Sequence, residues 1–202
     1  MQSLLKHYTW SIPTQQKRLY LTFDDGPTPK ITNQVLDLLA EFEAKATFFC
    51  IGNNVAKHPE LFARIKDEGH SVGNHTYDHV KGWKHSSSRY IENTEKAATL
   101  INSKLFRPPY GRITPGQTKG LKALGYQLVM WDVLSYDWDA ALPKEQVLLN
   151  CTQSAKKGSI IVFHDSEKAA KNMLYTLPKV LQHFTEKGFE FENLDVLLHQ
   201  TN

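Results

Sequence analysis

Two adjacent carboxylates, Asp24 and Asp25, follow an apolar, alternating stretch that ends at Phe23, and two imidazoles four positions apart, His75 and His79, come later in the chain. A carboxylate and two neutral imidazoles form a ligand set that suits a zinc-like divalent metal and leaves coordination positions open. The second carboxylate is available as a base for water that the metal activates, because a bound metal lowers the pKa of water towards about 7. These residue types therefore predict a metal-dependent hydrolytic site.

The composition is that of an ordinary globular protein. The 202 residues carry a formal net charge of +3, with 41% hydrophobic and 22% charged residues. We expect one domain over residues 1–202, with residues 1–17 as a short N-terminal extension. The sequence has no run of Lys and Arg and no basic helix face, so nucleic acid and membrane surfaces are not predicted partners. The sequence contains no pattern that predicts the oligomeric state.

The start of the chain lacks the basic and apolar regions of a signal peptide, and no stretch reaches the roughly 18 apolar residues of a membrane span. As written, the sequence predicts a cytoplasmic protein, and trimming of a native leader would change that prediction to the cell envelope or to secretion. Cys50 and Cys151 lack the CxxC spacing of metal ligands, so we expect buried thiols, with a disulfide between them left open.

Strand and helix patterns alternate along the whole chain. Strands are predicted at residues 19–23, 46–51, 70–73, 105–107, 126–131, 160–163 and 189–193. Helices are predicted at residues 28–42, with Thr28 as the cap, and at 59–69, 89–104, 114–124, 144–156 and 172–187. About seven strands alternating with helices predict a parallel sheet, open or closed into a barrel. The polar clusters follow strands, where such folds place their active sites.

Five segments resemble, in order and spacing, the motifs of polysaccharide deacetylases of the NodB-homology, carbohydrate esterase family 4 type. They are Thr22-Phe23-Asp24-Asp25-Gly26-Pro27, His75-Thr76-Tyr77-Asp78-His79, Arg107-Pro108-Pro109-Tyr110, Asp137-Trp138 and Ile160-Ile161-Val162-Phe163-His164-Asp165. The resemblance runs from about Tyr20 to the last predicted helix. It implies an α/β fold, a deformed parallel (β/α) barrel with about seven strands. It also implies metal-dependent removal of N-acetyl or O-acetyl groups from a saccharide.

The resemblance also assigns roles to single residues. Asp25, His75 and His79 would bind the divalent metal, usually zinc in this family, with cobalt, nickel or manganese also compatible. Asp24 would be the general base, and Arg107 would keep it ionised and oriented.

The remaining motif residues would serve the acetyl group and the leaving group. By the same resemblance His164 would be the general acid, the backbone N–H of Tyr110 would help bind the oxyanion, and Val162 would contact the acetyl methyl group. Pro109 and Tyr110 belong to the predicted substrate pocket, and Tyr136 and Trp138 are candidates to stack on a sugar ring. Amide hydrolysis needs these functions, because it requires a strong nucleophile, a stabilised oxyanion and a protonated leaving nitrogen.

The sequence departs from the family pattern at Leu134, where the family usually has an aspartate three residues before the Asp-Trp pair. That acid is thought to tune the catalytic histidine or to pair with the arginine. Asp132 lies two residues earlier and would share a face with Leu134 on an extended segment, so we hypothesise that Asp132 substitutes for it. Asp137, of the Asp-Trp pair, is expected to support the site from behind the substrate-contacting groups.

The leading interpretation is a metal-dependent deacetylase of N-acetylglucosamine-containing saccharides of the chitin-oligomer or peptidoglycan type. An O-acetyl esterase of the xylan type stays open, because ester and amide hydrolysis use the same groups. A non-catalytic carbohydrate-binding pseudoenzyme and an amidohydrolase of a small non-sugar amide are the alternatives from other classes. The intact Asp24 argues against a pure binding protein, which has no use for a base.

Overall fold

The computed structural model describes residues 8–199, so residues 1–7 of the expected N-terminal extension lie outside the described part. The strands are β1 (Arg18–Asp24), β2 (Ala46–Cys50), β3 (Ser71–Asn74), β4 (Leu105–Phe106), β5 (Gln127–Leu128), β6 (Val133–Leu134), β7 (Ile160–His164) and β8 (Glu190–Phe191). The helices are α1 (Ile31–Glu41), α2 (Gly52–Lys57), α3 (Pro59–Asp67), α4 (Ser87–Ala98), α5 (Pro115–Ala123), α6 (Lys144–Ser154) and α7 (Ala170–Glu186). Short 3-10 helices occupy Gly82–Lys84, Pro109–Gly111 and Leu194–Leu197.

Seven of the strands form one curled parallel sheet in the order β5-β4-β3-β2-β1-β7-β6, and β8 adds to the beginning of β1. The two ends of this order, β5 and β6, are consecutive in the chain, so the sheet curls into a half-barrel with helices around it. This architecture confirms the predicted deformed (β/α) barrel. All carboxyl ends of the strands meet at one rim, because every pairing is parallel.

Alternation along the central strands separates the core from the site. On β1, Leu21 and Phe23 point outwards and belong to the large apolar core beneath the helices. Tyr20, on the opposite face of the strand, packs into a second, interior cluster that includes Phe49. The same period brings Asp24, at the end of β1, to the interior. The strand pattern thus delivers one carboxylate to the mouth of the barrel while its neighbours stabilise the fold.

The interior floor of the barrel is closed by apolar side chains. Tyr20, Phe49 and Ile160 from the strands contact Leu194 and Leu197 of the last 3-10 helix. Above this floor the interior positions become polar, so that the open end of the barrel carries the site.

The structure differs from the predicted elements at several boundaries. Helix α4 ends at Ala98, well before the predicted end at residue 104, and helix α2 was not predicted. Only Gln127–Leu128 of the predicted strand 126–131 forms a strand, Val129 adds an isolated bridge, and the next strand begins at Val133 beside β7. Thr28 does not cap α1, whose N-cap is Lys30 with a φ of 68° and no side-chain cap.

Residues 8–17 attach to the barrel rather than standing apart from it. Thr9 forms a parallel bridge with Val129, and Ser11 an antiparallel bridge with Ser159. Among residues 8–199, no helix combines the length and the apolar composition needed to cross a bilayer. Both cysteines are buried free thiols, which confirms that prediction and excludes the disulfide between them.

Candidate active site and metal centre

A cavity of about 530 Å³ opens at the carboxyl ends of the strands. Its floor contains acidic and imidazole side chains from the ends of three strands and the loops that follow them, and its rim carries aromatic and cationic side chains. The lining residues are Asp24, Asp25, His75, His79, Lys81, Tyr110, Gly111, Arg112, Trp131, Leu134, Trp138, Val162, His164, Ser166 and Lys168. The structure therefore brings the predicted metal ligands, base and acid into one cavity.

An unusual backbone conformation lets two consecutive carboxylates face the same cavity. Successive side chains of a strand point to opposite faces, which would send Asp25 away from Asp24. Asp25 has a φ of 83°, a region that L-residues rarely occupy, and this reverses the chain immediately after β1. The strain is held by neighbouring contacts, since Asn54 donates to the carbonyl of Asp25 and the carbonyl of Gly26 accepts from the N–H of Ile51.

Asp25, His75 and His79 form the candidate metal site. One potential ligand atom from each residue lies within 4.8 Å of the others. Oδ1 of Asp25 lies 3.2 Å from Nε2 of His79 and 3.9 Å from Nε2 of His75. This buried oxygen has no hydrogen-bond partner among the described residues. An unpartnered buried carboxylate oxygen costs free energy, and a cation bound by these three residues would compensate for it.

The protonation states of the two imidazoles fit this interpretation. Burial lowers the pKa of His75, and burial together with the neighbouring His75 holds the pKa of His79 well below its usual value. Nδ1 of His75 lies 2.7 Å from the carbonyl oxygen of Arg107, which fixes the tautomer by accepting that N–H. Nε2 of His75 then has no proton, and its lone pair is available to a metal beside Asp25. Neutral nitrogen donors beside a carboxylate match the ligand chemistry of zinc.

Helix α4 fixes the loop that carries both histidines. The side-chain oxygen of Asn93 accepts hydrogen bonds from the N–H groups of Tyr77 and Asp78. Thr76 and His79 have φ values of 64° and 53°, so the loop turns tightly between its two ligands. The ring of Tyr110 packs against His79 with the ring centroids 4.6 Å apart. These contacts with α4 and Tyr110 hold the loop in shape.

Asp24 is paired with a completely buried arginine. Nη1 of Arg107 donates to Oδ1 of Asp24 at 2.8 Å and to the hydroxyl of Thr22 at 2.7 Å. Nε and Nη2 of Arg107 donate to the carbonyls of Val129 and Met130, respectively. Burial is the largest single influence and by itself would raise the pKa of Asp24. The charge and hydrogen bond of Arg107, together with the charges of His75 and His164, outweigh it and hold that pKa below its usual value. Asp24 is therefore a carboxylate at neutral pH.

His164 is paired with a buried aspartate. Oδ1 of Asp137 accepts from Nδ1 of His164 at 2.8 Å, and Oδ2 accepts from the His164 backbone N–H at 2.7 Å. Burial by itself would lower the pKa of His164, but the hydrogen bond and charge of Asp137 raise it to about 9. The imidazole is therefore protonated at neutral pH, with Nε2 as the remaining donor.

The hypothesis that Asp132 replaces the acid missing at Leu134 is wrong. The Asp132 carboxylate accepts hydrogen bonds from the Ser159 hydroxyl and the Ile160 N–H, and it touches neither His164 nor Arg107. Pairing with β7 rather than extension of β5 directs that side chain out of the cavity. Asp137 orients the histidine from the turn after β6, so Leu134 leaves no gap in the ion pairs.

The apolar corner of the cavity combines a predicted residue with two that sequence reasoning missed. Val162 on β7 lines the cavity beside its register partner Leu134 on β6. Trp131, which the sequence suggested as a core residue, lines the same cavity. Pro109 is buried and Tyr136 lies outside the lining, although the Tyr136 ring is 5.9 Å from that of Trp138, which does line it.

Asp165 anchors the carboxylate loop from below. Its Oδ1 accepts from the Gly26 N–H at 2.9 Å, and its Oδ2 accepts a 2.5 Å hydrogen bond from the Thr32 hydroxyl. A Cβ on Gly26 would lie 2.0 Å from the Asp165 carboxylate, so the glycine is required for this contact. The sequence pattern contained both residues, but only the structure shows that they touch.

The comparisons with known proteins agree with this geometry. A family profile described as polysaccharide deacetylase matches residues 11–129. A curated peptidoglycan-N-acetylglucosamine deacetylase of Bacillus cereus is 36% identical over 199 residues, covering 95% of this chain and 93% of that protein. A crystal structure of a peptidoglycan N-acetylglucosamine deacetylase with a naphthyl-substituted N-oxidanyl-benzamide has a TM-score of 0.89 at 31% identity, covering 94% of this chain and 92% of the other.

A further structural neighbour is described as a wild-type pseudoenzyme of carbohydrate esterase family 4 from Bacillus anthracis. It has a TM-score of 0.84 at 23% identity and covers 96% of this chain and 69% of the other. At that level of identity the likeness concerns the fold alone. The barrel by itself therefore does not separate an enzyme from a pseudoenzyme, and the side chains in the cavity must carry that distinction.

Proposed function

The chain belongs to the polysaccharide deacetylase family, as its sequence motifs indicated, and from this premise we propose that it is a metal-dependent deacetylase of N-acetylglucosamine residues in peptidoglycan-type saccharides. The deacetylases among its relatives support a hydrolase that removes acetyl groups. The observation that carries the finer proposal is a pair of ionised groups that face the same cavity as the metal ligands. One is the carboxylate of Asp24, with the cation Arg107 buried behind it, and the other is the imidazole of His164, with the carboxylate of Asp137 buried behind it. The named relative from Bacillus cereus supports the choice of saccharide.

The three ligands proposed for the metal are Asp25, His75 and His79, and zinc fits them best. A divalent cation held there would supply Lewis-acid activation of water and of the acetyl carbonyl. The chain itself provides the base: Asp24 is ionised beside Arg107 and accepts a proton from the attacking water. Arg107 holds the Asp24 carboxylate in place through one hydrogen bond to Oδ1, and its guanidinium is itself fixed by three others to Thr22, Val129 and Met130.

The later part of the reaction uses the backbone N–H of Tyr110 and the ion pair of His164 with Asp137. As the water oxygen bonds to the acetyl carbon, negative charge develops on the carbonyl oxygen, and we assign the backbone N–H of Tyr110 to stabilise it. Tyr110 has a φ of 60°, a conformation fixed between Pro109 and Gly111. Protonated His164 then donates its Nε2 proton to the leaving nitrogen as the carbon–nitrogen bond breaks, which gives acetate and a free amine.

The state of His164 favours amide over ester hydrolysis. An amine anion is a very poor leaving group, so an amidase needs a proton donor on the nitrogen. A histidine with a pKa of about 9 is such a donor at neutral pH. The small apolar corner formed by Val162, Leu134 and Trp131 fits the acetyl methyl group. With His164 as a proton donor, an amide-cleaving deacetylase is the preferred function and an O-acetyl esterase is the second candidate.

Acetate release from N-acetylglucosamine oligosaccharides tests the proposal. We expect no acetate from metal-stripped protein, recovery on addition of zinc, and loss of both activity and bound zinc in Asp25→Asn and His79→Ala. His199→Ala, an exposed histidine outside the cavity lining, is the matched control and keeps both.

Zinc binding can also be measured without turnover. Binding to the folded state alone at 100 times its dissociation constant adds about 2.7 kcal/mol, which corresponds to an unfolding temperature higher by about 5–10 °C for a chain of this size. Acetate release that persists in rigorously stripped protein, or a zinc-induced shift that survives His79→Ala, would overturn the assignment of the metal site.

A further inference from the structure

Cationic side chains line both walls of the cavity, and the proposed hydrolysis of the acetyl group does not use them. Lys81 and Arg112 lie on the wall built by the loops after β3 and β4, and Lys168 lies on the opposite wall, after β7. We call these three residues the cationic rim. Lys81 is half-buried, and Arg112 and Lys168 are exposed.

None of the rim cations forms an ion pair with a carboxylate within the described residues 8–199. Asp24, the deepest acid of the cavity, has its own cation in Arg107, so the rim is not needed to neutralise it. The only acids in the cavity lining are Asp24 and Asp25, and Asp25 belongs to the metal ligands. The rim therefore adds positive charge that no acid of the cavity lining pairs with.

Each rim cation lies over an aromatic ring. The ammonium of Lys81 is 5.2 Å from the ring centre of Tyr110, that of Lys168 is 5.2 Å from Trp138, and the guanidinium carbon of Arg112 is 4.2 Å from the ring of Trp83. Such contacts restrict long side chains that would otherwise sample many rotamers. They also place a face for stacking on sugar beside a positive charge, a combination suited to an acidic saccharide.

Packing between loops fixes the wall that carries two of the cations. The carbonyl of Gly82 accepts a hydrogen bond from the Gln117 side chain at 2.9 Å. A Cβ on Gly82 would lie only 2.4 Å from the carbonyl oxygen of Arg112, so the two loops meet at close range. Nε1 of Trp83 donates to the carbonyl of Ile113, which is a second contact between the same two loops. Lys81 and Arg112 are thus held on one preformed surface.

We propose that the cationic rim selects acidic glycans, binding carboxylates on the sugars that flank the N-acetyl group under attack. The inference rests on the proposed deacetylase function and narrows its substrate class. A peptidoglycan strand alternates its N-acetylglucosamine with sugars that carry a lactyl carboxylate, whereas a chitin oligomer is neutral. The rim therefore favours the former by Coulomb attraction at the cavity mouth.

The test compares three oligosaccharides of equal length: a peptidoglycan tetrasaccharide, the same tetrasaccharide with its carboxylates converted to neutral amides, and the neutral N-acetylglucosamine tetramer. We expect kcat/KM to be about tenfold higher for the acidic form than for its amidated form at low salt, mainly through KM. This ratio should fall in 1 M salt, where the Debye length is about 3 Å.

Substitutions on the rim locate the effect. The triple variant Lys81→Gln, Arg112→Gln, Lys168→Gln should bring the acidic-to-amidated ratio close to one, while each single variant lowers it about two- to fourfold. Lys122→Gln removes the same charge from an exposed position on α5, outside the cavity lining, and should preserve the ratio. Dissociation constants for the Asp24→Asn protein should show the same preference in the absence of turnover.

The outcomes separate this inference from the function on which it rests. Equal kcat/KM for the acidic and amidated forms, or a triple variant that loses activity equally on both, would overturn the rim assignment and leave the deacetylase intact. No acetate from any of the three, with the acidic form still bound more tightly by the rim, would overturn the deacetylase and support the rim. Neither acetate nor preferential binding would overturn both.

Discussion

The two ion pairs in the cavity use the same kinds of charge in opposite order. At the end of β1 the carboxylate of Asp24 faces the cavity and the cation Arg107 is buried behind it. At the end of β7 the imidazole of His164 faces the cavity and the carboxylate of Asp137 is buried behind it. In both places the group that faces the cavity belongs to an ion pair. The anion faces the cavity at the end of β1, and the cation faces it at the end of β7.

This difference drives the two pKa values apart. The buried cation lowers the pKa of the facing acid, and the buried carboxylate raises the pKa of the facing base, each against a burial effect of the opposite sign. At neutral pH one side of the cavity is therefore ready to accept a proton and the other is ready to donate one. A site that must do both at once can be built from two ion pairs whose order is reversed.

Removing the proton acceptor should have the largest effect. Asp24→Asn keeps the shape and a hydrogen-bond acceptor for Arg107 but has no basic oxygen, so we expect kcat to fall by about 10²–10⁴. Acetate release with zinc-loaded protein measures this change, and urea unfolding shows whether the fold is retained. A variant with more than a tenth of the normal kcat would show that another group takes the proton.

Removing the buried cation should damage both the fold and the base. Arg107→Met leaves the Asp24 carboxylate buried without a partner, which costs about 3–5 kcal/mol of unfolding free energy. In the surviving protein the pKa of Asp24 rises, because burial then acts on it without the opposing charge and hydrogen bond of Arg107, so the ascending limb of the pH–kcat profile should move to higher pH. Adding Asp24→Asn to Arg107→Met should recover part of the lost stability. No recovery in the double variant would mean that the arginine stabilises the fold independently of this pair.

Neutralising the buried carboxylate should move the other limb of the profile. His164 must be protonated to act, so the rate falls as pH rises through its pKa of about 9. In Asp137→Asn that pKa drops, and the descending limb should shift towards lower pH by about two units, with about tenfold to hundredfold lower kcat at pH 9. An unmoved descending limb would show that it reports a group other than His164.

The smallest effect should come from the hydroxyl that shares the arginine. Thr22→Val removes the acceptor that lies 2.7 Å from Nη1 of Arg107, while the bond to Asp24 remains. We expect a loss of about 1–2 kcal/mol in unfolding free energy and less than a tenfold change in kcat. A loss of kcat as large as that of Asp24→Asn would place Thr22 in the reaction itself.

Much of this arrangement could be predicted from the sequence because its motifs stand at the ends of regular strands. Alternation along β1 and β7 identifies which residues face inwards, and parallel pairing brings Asp24 beside His164. The parallel sheet of about seven strands and the shared location of the predicted site residues follow from such local patterns, whereas the deformed barrel was predicted from the resemblance to the family.

What the sequence could not provide depends on backbone conformation and long-range packing. The positive φ of Asp25 turns a second carboxylate inwards, and no residue-type rule predicts it for an aspartate. Asp132 was chosen by spacing on an assumed extended segment, but the break before β6 changes where that segment points. The cationic rim combines loops far apart in sequence, so only their packing reveals it.

The division of labour between the two pairs is tested most directly by His164→Ala on matched N-acetyl and O-acetyl substrates of the same sugar. Because an alkoxide leaves with less help than an amine, we predict that kcat falls at least 100-fold for the amide and by less than tenfold for the ester. Equal losses on the two substrates would contradict the assignment of His164 as the proton donor to the leaving nitrogen.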